Sequence, residues 1–202
     1  MKCNYLTIER EYGSGGTKIA RRLAQECSVA CYGSEILEAV SKKYDIPVKQ
    51  IQDYEESVSS SFLYSLFAIG RMQSGDNDLL TKEGHIFVAE QAIIRNLCAN
   101  GPAVFLGHCA AQALKDCKGV VNVFIRCSDQ EEKKKRIITD YGINEAQVEA
   151  TIKRFDKKRA NYYYANTTKR WNDPSNYDIM LDSAKLGVEG CVSLLKGLFT
   201  AG

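Results

Sequence analysis

Residues Glu9 to Lys18 read Glu-Arg-Glu-Tyr-Gly-Ser-Gly-Gly-Thr-Lys, and their types suit the binding of phosphate. Gly13, Gly15 and Gly16, with Ser14 among them, permit a bend tight enough for backbone N–H groups to converge on one anion. A strand-like run (Tyr5, Leu6, Thr7, Ile8) precedes the bend and a helix-like run (Ile19, Ala20, Leu23, Ala24) follows it. The partial positive charge of a helix start would then add to the cradle. Thr17, in the first turn of that helix, offers its hydroxyl to Mg2+.

Set against the nucleotide-binding pattern G-x-x-x-x-G-K-[ST], Gly15 and Thr17 fall on the second glycine and the hydroxyl. Arg10 stands at the first glycine, and Gly16 replaces the lysine. Arg10 and Lys18 are therefore candidate replacement cations, although Lys18 suits a solvated surface equally well. A second basic group spans Lys153, Arg154, Asp156, Lys157, Lys158 and Arg159, ahead of Tyr162, Tyr163 and Tyr164. Arg154, Lys157 and Lys158 share a helix face at i, i+3, i+4 spacing. Phosphoryl transfer needs such cations to arrive with the substrate and neutralise charge on the moving group. A solvated basic helix would look the same, and the run Lys133 to Arg136 is read that way. Asp182 and Ser183 end a short apolar run, where a sheet presents ligand contacts or where a pair of residues caps the next helix. His108, after the run Ala103–Leu106, is placed to meet a substrate or to make an ordinary polar contact.

The elements needed to position these groups alternate along the chain. Strands are predicted at Cys3–Ile8, Val29–Tyr32, Ala103–Leu106, Val120–Arg126 and Tyr177–Leu181. Helices are predicted at Thr17–Glu26, Ser34–Lys43, Val48–Glu56, Ser60–Met72, Leu79–Ala99, Cys109–Asp116, Asp129–Tyr141, Glu145–Tyr164 and Leu186–Leu198. Strands apolar on both faces, separated by helices, predict a doubly wound parallel α/β sheet of about five strands. Residues 1–202 read as one domain, with a helical excursion over about 33–78 and a helical lid over about 141–171. The stretch Ser57–Asn77 departs most from the alternation and suits a flap, a dimer contact or a helix packed on its own sheet.

Composition narrows the classes. Hydrophobic residues make up 45% and charged residues 26% of the 202, and 27 basic against 25 acidic side chains give +2. So small an excess argues against a nucleic-acid or anionic-membrane partner. The longest apolar run, Phe62 to Ile69, is too short to cross a bilayer. Eight cysteines without a C-x-x-C pair, and no leader-like start, point to reduced thiols in a cytoplasmic protein.

Taken in order, these pieces resemble the cytidylate kinase-like proteins, a branch of the nucleoside monophosphate kinases with the P-loop fold. The opening is similar to that branch's S-R-E-[FY]-G-S-G-G loop, which also lacks the lysine. Tyr32-Gly33-Ser34-Glu35-Ile36-Leu37 is similar to its Y-D-x-E-[IL]-[IL] segment. Asp156-Lys157-Lys158-Arg159 resembles its D-[RK]-x-R lid, and Tyr177 to Ser183 its x-D-x-x-L-D-[ST] strand. The resemblance implies Mg-ATP held by Gly13, Ser14, Gly15, Gly16, Thr17 and Lys18, with Thr17 on the metal. It implies catalysis by Arg10, Arg154, Lys157 and Arg159, and substrate contacts from Ser34, His108, Asp178 and Asp182. The implied reaction is phosphoryl transfer to CMP, dCMP or a related pyrimidine acceptor. Two departures fall on the acceptor side: Gly33 replaces an aspartate, and His108 an arginine suited to the acceptor phosphate. They favour a different acceptor, or a nucleotide-binding regulatory protein of little or no turnover. A homodimer is compatible with the Phe62–Ile69 run.

Overall fold

The computed structural model describes residues 3–49, 51–52 and 82–200. The predicted excursion at Ser57–Asn77, with its Phe62–Ile69 run, lies outside the described residues. Five strands form one parallel sheet: β1 (Tyr5–Arg10), β2 (Ala30–Tyr32), β3 (Ala103–Leu106), β4 (Val120–Arg126) and β5 (Ile179–Asp182). Their spatial order is β2-β3-β1-β4-β5, which places the strand before the glycine bend at the centre. The helices are α1 (Gly16–Cys27), α2 (Ser34–Tyr44), α3 (Lys82–Leu97), α4 (Ala110–Ala113), α5 (Gln130–Tyr141), α6 (Glu145–Thr167) and α7 (Ser183–Thr200, kinked at Gly187).

Strand side chains alternate between two apolar layers. Leu6, Ile8, Val104, Leu106, Val123 and Ile125 pack with α1 and α7. Ala103, Phe105 and Phe124 pack on the other face with α2, α3, α4 and α6. In β1 this alternation has a functional consequence. Tyr5 joins the second layer, so Thr7 and Glu9 share its face, beneath α6. Arg10 turns the other way, toward the start of α1, where a Cβ on Gly16 would meet its stem.

The predicted boundaries are close, and the differences are local. β1 runs to Arg10 because Glu9 and Arg10 continue the ladder opposite Phe124 and Ile125. The predicted helix at Cys109–Asp116 shrinks to four residues. Gly107, His108 and Cys109 all hold left-handed φ angles, of 79°, 57° and 49°, which delays its start. The second basic helix runs unbroken through Thr167.

Candidate functional site: the glycine bend beneath a docked helix

The bend from Glu11 to Gly15 is built from its own atoms. The Ser14 hydroxyl donates to the Glu11 carbonyl at 2.8 Å, and the Gly16 N–H donates to Ser14 Oγ at 3.3 Å. Gly13 and Gly15 take φ angles of 75° and 78°. A Cβ on Gly13 would lie 2.7 Å from both Lys133 and Ile137, so α5 rests directly on the bend. Among the described residues, the N–H groups of Gly13, Gly15, Thr17 and Lys18 have no acceptor in the protein. Those of Tyr12 and Gly16 are bonded internally, Tyr12 donating to Asp156 at 2.7 Å.

Arg10 explains why no lysine follows. A Cβ on Gly16 would approach Arg10 Cβ to 2.6 Å and Cγ to 2.9 Å. The arginine stem thus fills the space through which a side chain at position 16 would leave the backbone. Its guanidinium continues over Gly107, whose added Cβ would lie 2.5 Å from Nη1. Arg10 Nε is buried without an acceptor.

Helix α6 closes over this arrangement. Arg159 donates to the Arg10 carbonyl at 2.9 Å and lies 3.9 Å from Asp156. Burial, and then the like charge of Arg10, lower its pKa to about 10. Burial likewise raises the Asp156 carboxyl, against the N–H bond from Tyr12. Tyr12 stacks between Phe155, at 4.5 Å, and Tyr141, at 5.2 Å. Between the helix and the sheet a cavity of about 210 Å³ is lined by Glu9, Arg10, His108, Lys158, Arg159 and Tyr162, among others. His108 Nδ1 lies 3.7 Å from the fully buried Glu90, which also accepts the Tyr162 hydroxyl.

This geometry belongs to a recognisable group. The model of the cytidylate kinase-like family matches residues 5–185. The chain belongs to the cytidylate kinase-like family. Its fold is shared, at 23% identity and a TM-score of 0.71, by an uncharacterized protein from Eubacterium ventriosum, with 98% of this chain and 99% of that one covered. Shikimate kinase from Bacteroides thetaiotaomicron follows at 12% identity and TM-score 0.50, with 97% and 98% covered. TT1252 from Thermus thermophilus gives 14% and 0.52, with 100% and 98% covered. Among curated proteins none matches.

In this cytidylate kinase-like chain the structure gathers Arg10, Arg159 and His108 at one cavity; Gly16, which opens α1, lies against the Arg10 stem, while Thr17 lines a separate groove. Several expected residues lie elsewhere. Lys157 is exposed, and Arg154, also exposed, lies over the Phe155 ring at 5.0 Å. The inward stripe of α6 is Phe155, Lys158, Arg159 and Tyr162, displaced one position from the predicted face, because Phe155 must reach Tyr12. Lys18 is exposed on an open groove that it shares with Thr17, Asp140 and Tyr141. Ser34 lines a separate cavity of about 300 Å³ with Arg21, Gly33 and Glu35.

Asp178 precedes β5 and accepts the Asn122 N–H at 2.8 Å, level with Thr7 in the middle of β1 and away from the bend. Asp182 accepts N–H groups from Ser128 and Ala184 at 3.0 and 3.1 Å, capping α7. Burial pushes its carboxyl up, but those bonds outweigh it and hold the group below the usual range.

The run Lys133 to Arg136 is not simply solvated. Lys133 is buried and pairs with Glu11 at 2.8 Å. Arg136 Nη1 reaches the Gly13 and Ser14 carbonyls at 3.4 and 3.1 Å and Ser183 Oγ at 3.0 Å. Ser183 Oγ in turn donates to the Ser14 carbonyl at 2.7 Å. The spacing of Lys133, Arg136 and Ile137 places all three on one face. That was the available signal. Glu9 was also missed, although the alternation of β1 puts it on a buried face.

Proposed function

We propose that this family member transfers the terminal phosphoryl group of Mg-ATP to a nucleotide or nucleoside. The reading is supported by two guanidinium groups, Arg10 and Arg159, brought together at a cavity, with the Arg10 stem against Gly16 of a bend whose N–H groups at Gly13, Gly15, Thr17 and Lys18 lack acceptors among the described residues. Like charges cost free energy when buried together, and a polyphosphate between them removes that cost. The N–H groups of Gly13, Gly15, Thr17 and Lys18 suit triphosphate oxygens. The half-buried Thr17 hydroxyl suits Mg2+, which binds through few protein ligands and otherwise through phosphate oxygens and water.

In this scheme Arg10 does the work of the lysine, and Arg159 and Lys158 neutralise the group in transit. Helix α6 is the lid, excluding water and completing the constellation. Magnesium bound there would supply further neutralisation of the phosphate oxygens. Catalysis is then positioning plus charge stabilisation.

The test is a coupled ADP-release assay with nucleosides and monophosphates, comparing the wild type with Arg159→Ala and Lys157→Ala. Turnover falling at least a hundredfold for Arg159→Ala and less than threefold for Lys157→Ala is expected. Tight ATP binding by calorimetry without turnover would instead favour a regulatory nucleotide-binding protein. Absence of ATP binding defeats both readings.

A further inference from the structure

The cavity contains a carboxylate that the proposed reaction has not yet used. Glu9 is only 8% exposed, at the C-terminal end of the central strand. Its Oε2 accepts the Trp171 indole N–H at 3.2 Å. Trp171 is itself held edge-on against Phe124, the residue opposite Glu9 in the ladder. Oε1 has no partner among the described residues, and Glu9 lines the cavity. Glu9 forms no ion pair within contact distance among those residues, although its charge favours the nearby Arg159 guanidinium. A buried carboxylate with one oxygen fixed and the other turned into a cavity calls for a hydrogen-bond donor from a ligand.

We propose that Glu9 binds the phosphoryl acceptor, and that this acceptor is a hydroxyl group, as in a nucleoside, and not a phosphate monoester. The inference rests on the kinase reading above. A monoester dianion would bring two further negative charges toward a fixed carboxylate, whereas a hydroxyl donates to it. In the transfer, the acceptor oxygen forms its bond to the terminal phosphorus as the bond from that phosphorus to the bridging oxygen breaks. ADP leaves with the electron pair, and the hydroxyl proton passes to Glu9 Oε1. Trp171 is a positioning residue that fixes which carboxylate oxygen faces the acceptor.

The groups facing Glu9 are Arg10 from its own strand, His108 and Cys109 after β3, and Lys158, Arg159, Tyr162 and Tyr163 from α6. Trp171 and Tyr177 complete the set from the segment before β5.

The experiment uses the full chain as wild type, Glu9→Gln and Trp171→Phe. ATP affinity is measured by calorimetry, and kcat and KM by ADP release, with nucleosides and with their 5′-monophosphates. Nucleosides are expected to turn over and monophosphates not. Glu9→Gln should keep ATP affinity within about twofold, showing that it is folded, while kcat falls about 10²- to 10³-fold. Trp171→Phe should raise the nucleoside KM and lower kcat less than Glu9→Gln does, with ATP affinity unchanged.

Turnover of monophosphates that survives Glu9→Gln overturns the acceptor assignment and leaves the kinase reading standing. ATP binding without turnover of either panel overturns it too. A wild type that binds no ATP removes the kinase reading itself, a result distinguishable from both.

Discussion

If Arg10 has replaced the lysine, the two positions must be coupled, because one side chain occupies the other's exit. A Cβ at position 16 would sit 2.6 Å from Arg10 Cβ, about 0.8 Å inside the 3.4 Å at which ordinary contact begins. Neither atom can swing aside: Arg10 is pinned in the ladder opposite Ile125, and Gly16 opens α1. Overpacking of this kind costs about 1–3 kcal/mol. Gly16→Ala should therefore lose that much in urea unfolding. Arg10→Ala would not relieve the clash, since its Cβ remains, but Arg10→Gly would. In a double-mutant cycle of Arg10→Gly and Gly16→Ala, the coupling should recover about 1–3 kcal/mol, with the flexibility cost of the added glycine cancelling.

Activity gives the second arm. Removing a preorganised charge costs about 2.7–4 kcal/mol, so kcat for Arg10→Gly should fall about 10²- to 10³-fold. Combining Arg10→Gly with Gly16→Lys rebuilds the more usual arrangement and should regain most of that loss. Stability effects that add within about 0.5 kcal/mol, or an Arg10→Gly variant within a few-fold of wild type, would refute the reasoning.

Two further outcomes follow from the loop's supports. Arg136→Ala should cost about 2–3 kcal/mol in urea unfolding, because a charged donor leaves the Gly13 and Ser14 carbonyls and Ser183. ATP affinity by calorimetry should weaken about tenfold as the bend loosens. Asp156→Asn keeps an oxygen for the Tyr12 N–H but cannot ionise. Burial raises the native carboxyl above its ordinary 3.8, so the fold favours its protonated form. That stabilisation is complete below 3.8 and is lost as pH rises through the native titration. Wild-type stability minus that of Asp156→Asn should therefore fall with rising pH across this range, and a flat or rising difference would refute it.

The sheet was legible because its strands are apolar on both faces and its helices carry regular periods. Val120–Arg126 and Ala103–Leu106 are correct to the residue. The glycine bend was legible because few residue types fit left-handed backbone next to close packing. The cations were harder. Spacing within α6 gives two candidate faces one residue apart, and the choice is made by Phe155 stacking on Tyr12, a contact 143 positions away in the chain. Arg136 looked like surface charge because nothing local shows that α5 rests on Gly13. Asp178 and Asp182 lie four residues apart, one just before β5 and one at its last position. Only the direction of β5 separates the end that faces the bend from the end that does not.

The same three residues, Arg10 to Tyr12, lead into the glycine bend and hold the helix α6 that docks over it. Helix α6 is fastened to them by the Asp156 bond to the Tyr12 N–H, the Arg159 bond to the Arg10 carbonyl and the Phe155 stack. Opposing these contacts are the burial of Asp156 and the approach of two guanidinium groups, both visible as shifted ionisation. On the proposed kinase reading, closure of α6 would be a balance between packing that needs no ligand and electrostatics that an anion reverses. A polyphosphate entering between Arg10 and Arg159 interacts more strongly with the closed form, where both groups converge, than with an open one. That difference in affinity is the only means by which a ligand can shift such an equilibrium. On that reading it also accounts for two mutually repelling arginines where a single lysine elsewhere suffices: the second charge would arrive with the lid, and so couple phosphate binding to closure.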